Sequence, residues 1–176
     1  TSAHSNAKKT QSFLTNYYND PYFPVNFIDI IKRFEFQEFN DVVNKFKDLE
    51  ISTINLNHPG NSSGYKFIKD QKKFCYLLDN EYEENGNQKN KLIEFCDNAD
   101  TVIWDGMYLD CELNNKKGWG HSSIEQGVYF SNQIRVKNFV ISHHAPWRED
   151  TEIQKIQKSI SNGKVIFASE NEVIEF

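Results

Sequence analysis

Apolar and polar residues change their period several times along this chain. Residues 32–39, "KRFEFQEF", alternate Phe with polar residues, the period of a half-buried strand. Residues 50–58, "EISTINLNH", alternate too, with Ile51, Thr53 and Asn55 on one face and Ile54 and Leu56 toward the other. "GNSSG" (60–64) is a turn cluster, and "YKFIKD" followed by "KKFCYLLD" predicts a hairpin that turns near "DQ". Within residues 87–100 the apolar positions 92, 93, 95 and 96 suit a helix docking one face. Residues 101–106 and 136–144 read as short buried strands. Between them Ser122 or Ser123 can cap a helix that has Glu125 in its first turn. Residues 148–163 predict a polar helix with Ile153, Ile156 and Ile160 on one stripe, ending at Gly163. "KVIFAS" and "NEVIEF" read as two closing strands. The first twenty residues suit an entry loop or short helix, and "PYFPVNF" (21–27), with two prolines, an extended segment. Strands that alternate with helices in this way predict an α/β layered fold, one domain over 1–176 with no repeat and no linker.

Composition adds a core and removes some partners. Fourteen Phe and eight Tyr supply apolar bulk in a chain of 176 residues. The net charge of −5 disfavours nucleic-acid binding by phosphate attraction, but not a small phosphate ester held by a metal. Cys75, Cys96 and Cys111 are odd in number and lack CxxC spacing, which points to free thiols in a reducing cytoplasm. No apolar run approaches the ~18 residues of a membrane span. The start, "TSAHSNAKKT", has neither an initiator Met nor the apolar core of a signal peptide, and reads as a processed chain or one segment of a longer protein.

The chemically suggestive residues gather at strand ends. His58, Asp79 and Asp105 each end a predicted strand, His121 precedes a helix start, and His143 and His144 close residues 136–144. Such ends converge on one edge of an α/β sheet. Taken singly, a strand-end Asp more often caps a turn, and a lone His is more often simply hydrogen-bonded. Together, imidazole and carboxylate suit zinc, manganese or iron, and one carboxylate can bridge two such ions ~3.5–4 Å apart. No HxH or HExxH spacing occurs. Adjacent residues on a strand face opposite ways, so at most one of His143 and His144 can face a site. His4 lies in a polar segment and gains no role from its position.

Several longer segments carry a resemblance. "LNHPGNSSGYKF" (56–67), "FCYLLDNE" (74–81), "ADTVIWDGMYLDCE" (99–112), "GWGHSS" (118–123) and "FVISHHAPWRED" (139–150) stand in the order found in metallo-β-lactamase-fold hydrolases, with "PYFPV" (21–25) before them and "VIFASENEVIEF" after. They resemble the phosphodiesterase branch that includes tRNase Z and phosphorylcholine esterase. The resemblance implies an αββα four-layer sandwich, two sheets face to face with helices outside, of which this chain is the C-terminal portion. It implies that His58 binds one metal, Asp79 bridges two, and His143, in preference to His144, binds the other. It places His121 beside the scissile phosphate as the catalytic group, with Ser122 and the following helix start at a phosphate oxygen. Asp105 then orients a histidine, and His144 supports the site or lines the substrate pocket.

Three departures qualify this. The family's HxHxDH is absent, and a chain that begins after the half of the domain carrying it is expected in preference to a lost motif. Ala145 replaces the Asp usual after the histidine pair, and Ser123 replaces Thr. The expected function is a metal-dependent hydrolase with two divalent ions, zinc first and manganese or iron next. A hydroxide held by the metals attacks a small phosphodiester such as a cyclic nucleotide, a phospholipid-like ester or a choline ester. The alternatives are hydrolysis of a thioester or lactone, or a metal-poor binding or scaffold module if the whole protein lacks HxHxDH. A tRNA substrate is disfavoured by charge, no membrane is expected, and a homo-oligomer stays open.

Overall fold

Two tight turns start the sheet. In the computed structural model, which describes residues 6–36, 38, 43–160 and 163–175, β2 (Leu49–Leu56) pairs antiparallel with β3 (Ser62–Lys69). β4 (Lys72–Leu77) folds back on β3 through Asp70 and Gln71, whose φ of 50° and 63° are those a two-residue hairpin turn with matching twist needs. β1 (Asn44–Phe46) adds an edge strand to β2. From β4 onward the chain crosses over. Helix α3 (Gln88–Cys96) leads to β5 (Ala99–Asp105), α4 (Ile124–Ser131) to β6 (Val136–Ser142), and α5 (Asp150–Ser159) to β7 (Val165–Phe167). β4 to β7 therefore run parallel in a seven-stranded sheet ordered β1 to β7. The architecture is α/β, as expected.

One face of this sheet is dry. The register lines up Cys75, Val102, Phe139 and Val165 in one row and Leu77, Trp104, Ile141 and Phe167 in the next, all buried. Leu92, Phe95 and Cys96 of α3 and Ile124 and Phe130 of α4 close over these rows. Ile153 and Ile156 of α5 pack against the same cluster. Trp104 is the centre: its ring stacks on Phe130 at 4.9 Å and meets Tyr82 edge-on at 5.3 Å. The opposite face, with Ile51, Tyr65, Phe67, Phe74 and Ile103, is half-buried. Among the described residues no helix is long and apolar enough to cross a membrane.

Several elements differ from the sequence expectation. Residues 32–39 form no strand where they are described. A 3₁₀ turn spans Ile31–Arg33, and Phe34 and Phe36 pack on Phe27 of the short helix α2 (Phe27–Ile30), with ring centroids 4.9 and 6.3 Å away. Their alternation serves a local aromatic cluster instead of the sheet; residues 37 and 39–42 lie outside the described set, as does His4. The segment 21–27 is no extended stretch: Asn19 O accepts from Tyr22 N and Phe23 N, closing a turn after helix α1 (Ala7–Tyr17). The turn in 60–64 is confined to His58–Asn61, where Asn61 N donates to His58 O, and β3 begins at Ser62. The closing "NEVIEF" forms no strand over its described residues, because Glu172 N donates to Ser169 O in a turn. β6 stops at Ser142, one residue before the histidine pair.

Helix α4 owes its close seat to Gly127. A Cβ there would stand 2.6 Å from Trp104 Cδ1 and 2.7 Å from Ile141 Cδ1. Alanine usually improves a helix interior by about 0.5–1 kcal/mol relative to glycine. Here overpacking reverses the sign, and Gly127→Ala is expected to destabilise by about 1–3 kcal/mol. Urea denaturation measures this, and an unchanged or higher midpoint contradicts the packing described.

Candidate functional site

Three parallel strands deliver three side chains to one edge. Asp79 follows β4, Asp105 ends β5 and His143 follows β6, so the parallel register alone sets them side by side. Asp79 and His143 both turn the chain in the left-handed region, with φ of 57° and 59°. For residues with a Cβ that conformation is uncommon, and it persists only where the surroundings hold it. It also bends each side chain out of the strand's alternation. His121 arrives from the loop before α4, whose start is fixed by Ser123: its hydroxyl accepts from Gln126 N, and Gln126 Oε1 accepts from Ser123 N. Tyr108 clamps the same loop, donating to Ser122 O at 3.1 Å and accepting from Ile124 N at 2.9 Å.

The four side chains Asp79, Asp105, His121 and His143 each bring a ligating atom within 4.8 Å of the others. Within the group two pairs differ in kind. Asp105 is fully buried, and its carboxylate accepts from Asp79 N (3.0 Å), Asn80 N (3.3 Å) and Met107 N (3.2 Å) as well as meeting His121 Nδ1 at 2.8 Å. With three backbone N–H groups donating to it, this carboxylate serves as the acceptor for the imidazole too. His121 Nδ1 therefore carries a hydrogen, and Nε2 is its free nitrogen. The Asp105 hydrogen bond raises the His121 pKa above the usual imidazole value, partly opposed by burial, with Asp79 and Glu81 adding smaller increases. Asp79 and His143 are the other pair: Oδ1 lies 3.4 Å from Nε2 and 3.9 Å from His121 Nδ1.

The remaining predicted residues sit around this cluster. The His58 ring centroid is 5.5 Å from that of His121, outside the four-membered group. Its Nδ1 accepts from Gly60 N at 3.2 Å, which puts the hydrogen of neutral His58 on Nε2. Ser122 is buried, and its hydroxyl is committed to Asn80 O and Tyr82 N, tying the chain after β4 to the loop before α4. His144 points away from the cluster and stacks on Phe167 of β7, 5.8 Å and 9° from parallel. Neither of its nitrogens has a hydrogen-bond partner in good geometry among the described residues. Burial holds its pKa below the usual imidazole value, opposed in part by the Gly106 backbone and reinforced by Arg148 and His143.

One organising residue was not singled out from sequence. The Glu81 carboxylate accepts from Gly118 N at 2.8 Å and from Gly120 N at 3.0 Å, and so shapes the loop that carries His121. Gly120 has φ 87°, and a Cβ there would fall 2.2 Å from His58 Cδ2, so this position admits only glycine. The signal was the pair of glycines around Trp119, which asks for an acceptor, though it does not say which.

A divalent ion fits part of this cluster. At a metal–ligand length of about 2.1 Å, two tetrahedral donors stand about 3.4 Å apart, the separation of Asp79 Oδ1 and His143 Nε2. Asp105 and the Nδ1 of His121 are already spent on each other. The donor types, imidazole and carboxylate, suit zinc or iron.

No protein-family model and no curated protein matches this sequence. Solved structures do match in shape. A diphosphatase from the PhnP family superposes over 97% of this chain and 57% of its own, with TM-score 0.67 and 16% identity. The short form of human tRNase Z aligns over 75% of this chain and 45% of its own, with TM-score 0.56 and 21% identity. CmlA, a diiron β-hydroxylase from Streptomyces venezuelae, aligns over 80% and 35%, with TM-score 0.51 and 12% identity. The chain thus spans about half the length of such structures. The chain carries part of a metallo-β-lactamase fold.

Proposed function

We propose that this chain forms part of a metal-dependent hydrolase whose substrate is a small phosphodiester. The observation that supports this best is the juxtaposition of a buried Asp105–His121 pair, 2.8 Å apart, with the Asp79–His143 pair at 3.4 Å. In this reading Asp79 and His143 would hold divalent metal, zinc by ligand type or else manganese or iron, with Asp79 serving both where two ions bind. Metal bound there polarises phosphoryl oxygens and lowers the pKa of water. His58 joins the ligand set through Nε2 only by giving up its bond from Gly60 N. The further ligands that a complete site needs come from water, substrate or chain outside residues 1–176.

The chain's own residues then manage the proton. Asp105 keeps a hydrogen on His121 Nδ1 and raises the ring's proton affinity, which favours the form with a proton on Nε2 as well. Nε2–H gives that proton to the departing alkoxide oxygen, while Nδ1–H stays on Asp105. Ser122 acts through position, by fixing Asn80 and Tyr82 against the His121 loop. His144 supports the edge of the site against β7. The fold hosts hydrolysis of other esters and oxidation chemistry as well, so the substrate class rests on the acid at His121 and not on the fold.

Two results test this reading. Asp79→Ala and His143→Ala are expected to lose bound metal by elemental analysis, and to lower hydrolysis of bis(p-nitrophenyl) phosphate by about 100-fold or more, whereas His144→Ala keeps its metal. Metal loss in His144→Ala alone overturns the assignment. The second concerns pH. Because the folded pKa of His121 is raised, its pairing with Asp105 stabilises the metal-free protein fully below about pH 6.5, and that contribution is lost as pH rises through the folded value. Asp105→Asn is expected to bring the NMR titration midpoint of His121 down and to remove this pH-dependent part of stability. A midpoint that does not move contradicts the pairing.

A further inference from the structure

Lys116 ends the 3₁₀ turn Asp110–Asn115 and stands at the rim of the cavity that His121 lines. The cavity measures about 540 Å³, and Glu81, Glu83, Glu84 and Lys117 also line it. The Lys116 ammonium is held against three aromatic rings, 3.9 Å from the Trp119 centroid, 5.7 Å from Trp147 and 5.8 Å from Tyr108. Tyr108 is shared with the site, its centroid 6.1 Å from that of His121. The loop between Lys116 and His121 is fixed at both ends: Trp119 N donates to Lys116 O at 3.0 Å, and Glu81 takes Gly118 N and Gly120 N.

This arrangement is poorly explained as packing. Trp119 and Trp147 are 55% and 57% exposed, so the lysine buries little of them. No carboxylate among the described residues forms an ion pair with it. Aromatic faces attract the charge yet satisfy none of its three N–H donors with a strong acceptor. They do restrict the rotamers of a side chain that is otherwise costly to immobilise. The result is a pre-ordered ammonium with unused donors, on a residue that lines the same cavity as His121.

We infer that Lys116, clamped by Tyr108, Trp119 and Trp147, binds an anionic group of the substrate other than the scissile phosphodiester, a terminal phosphate or a carboxylate. This inference rests on reading the His121 cavity as the substrate site. It makes Lys116 a determinant of specificity: substrates with a second anion are preferred over those with only the diester. An ammonium–phosphate contact is charge-assisted and among the stronger hydrogen bonds. Its loss is expected to weaken such ligands about tenfold.

The test has a binding arm without metal or turnover and a kinetic arm with both. Trp119 and Trp147 make intrinsic fluorescence a local reporter. In protein freed of metal, titration with thymidine 3′,5′-bisphosphate is expected to give a saturable change. Lys116→Met is expected to raise the dissociation constant about tenfold, and Lys116→Arg to stay within about threefold of the parent. With metal restored, hydrolysis of thymidine 5′-(p-nitrophenyl phosphate) is compared with that of the same ester bearing a 3′-phosphate. The kcat/KM ratio favouring the 3′-phosphorylated ester is expected to fall about tenfold in Lys116→Met and to return in Lys116→Arg. No saturable binding by the parent protein, or equal binding by Lys116→Met, overturns the inference. Absence of hydrolysis in every protein, with the binding difference intact, sinks the hydrolase reading and leaves the anion site standing.

Discussion

A single buried carboxylate sets the terms for this site. Asp105 sits at the end of β5 directly after Trp104, the largest fully buried side chain among the described residues. An ionised group there is tolerable only with a full set of donors, since each one lost leaves a desolvated charge. The donors come from three separate places: the turn after β4 (Asp79 N and Asn80 N), the turn after β5 (Met107 N) and the loop before α4 (His121). Satisfying Asp105 thus requires the β4 end to bend into the left-handed region, and that bend is what presents the Asp79 carboxylate. Folding energetics and site geometry are here one problem, and the side chain that solves it never faces the cavity.

Much of the local structure was legible because it depends on short-range chemistry. The hairpin at Asp70–Gln71, the cap at Ser123 and the Ile153–Ile156 stripe of α5 all follow from residues a few positions apart. Phe34 and Phe36 misled because alternation says that one face is covered without saying by what; Phe27 covers them, and no strand does. The closing "NEVIEF" has strand composition but no neighbour to pair with among the described residues, and β-propensity is decided by such neighbours.

The site was legible in its residues and much less in its geometry. Asp79, Asp105, His121 and His143 were recognisable as strand-end and helix-start positions, and the structure draws these four together. His143 and His144 do face different ways, yet for another reason than strand alternation: β6 has already ended, and positive φ at His143 turns the two apart. His58 lies near but uses Nδ1 on Gly60 N, a bond that no sequence pattern announces. Glu81 and Lys116 were invisible as site residues for a similar cause. Glu81 acts on backbone N–H groups 37 and 39 residues away, and Lys116 on rings brought together only by the fold.

The proposed metal site lies between Asp79 and His143, with Asp105 and His121 Nδ1 kept to each other. Anomalous diffraction from zinc-soaked crystals of this chain measures that directly. The account predicts a zinc peak bonded to an Asp79 oxygen and to His143 Nε2, with the Asp105–His121 hydrogen bond intact. Zinc bonded to Asp105 or His121, or a cluster without zinc, contradicts it.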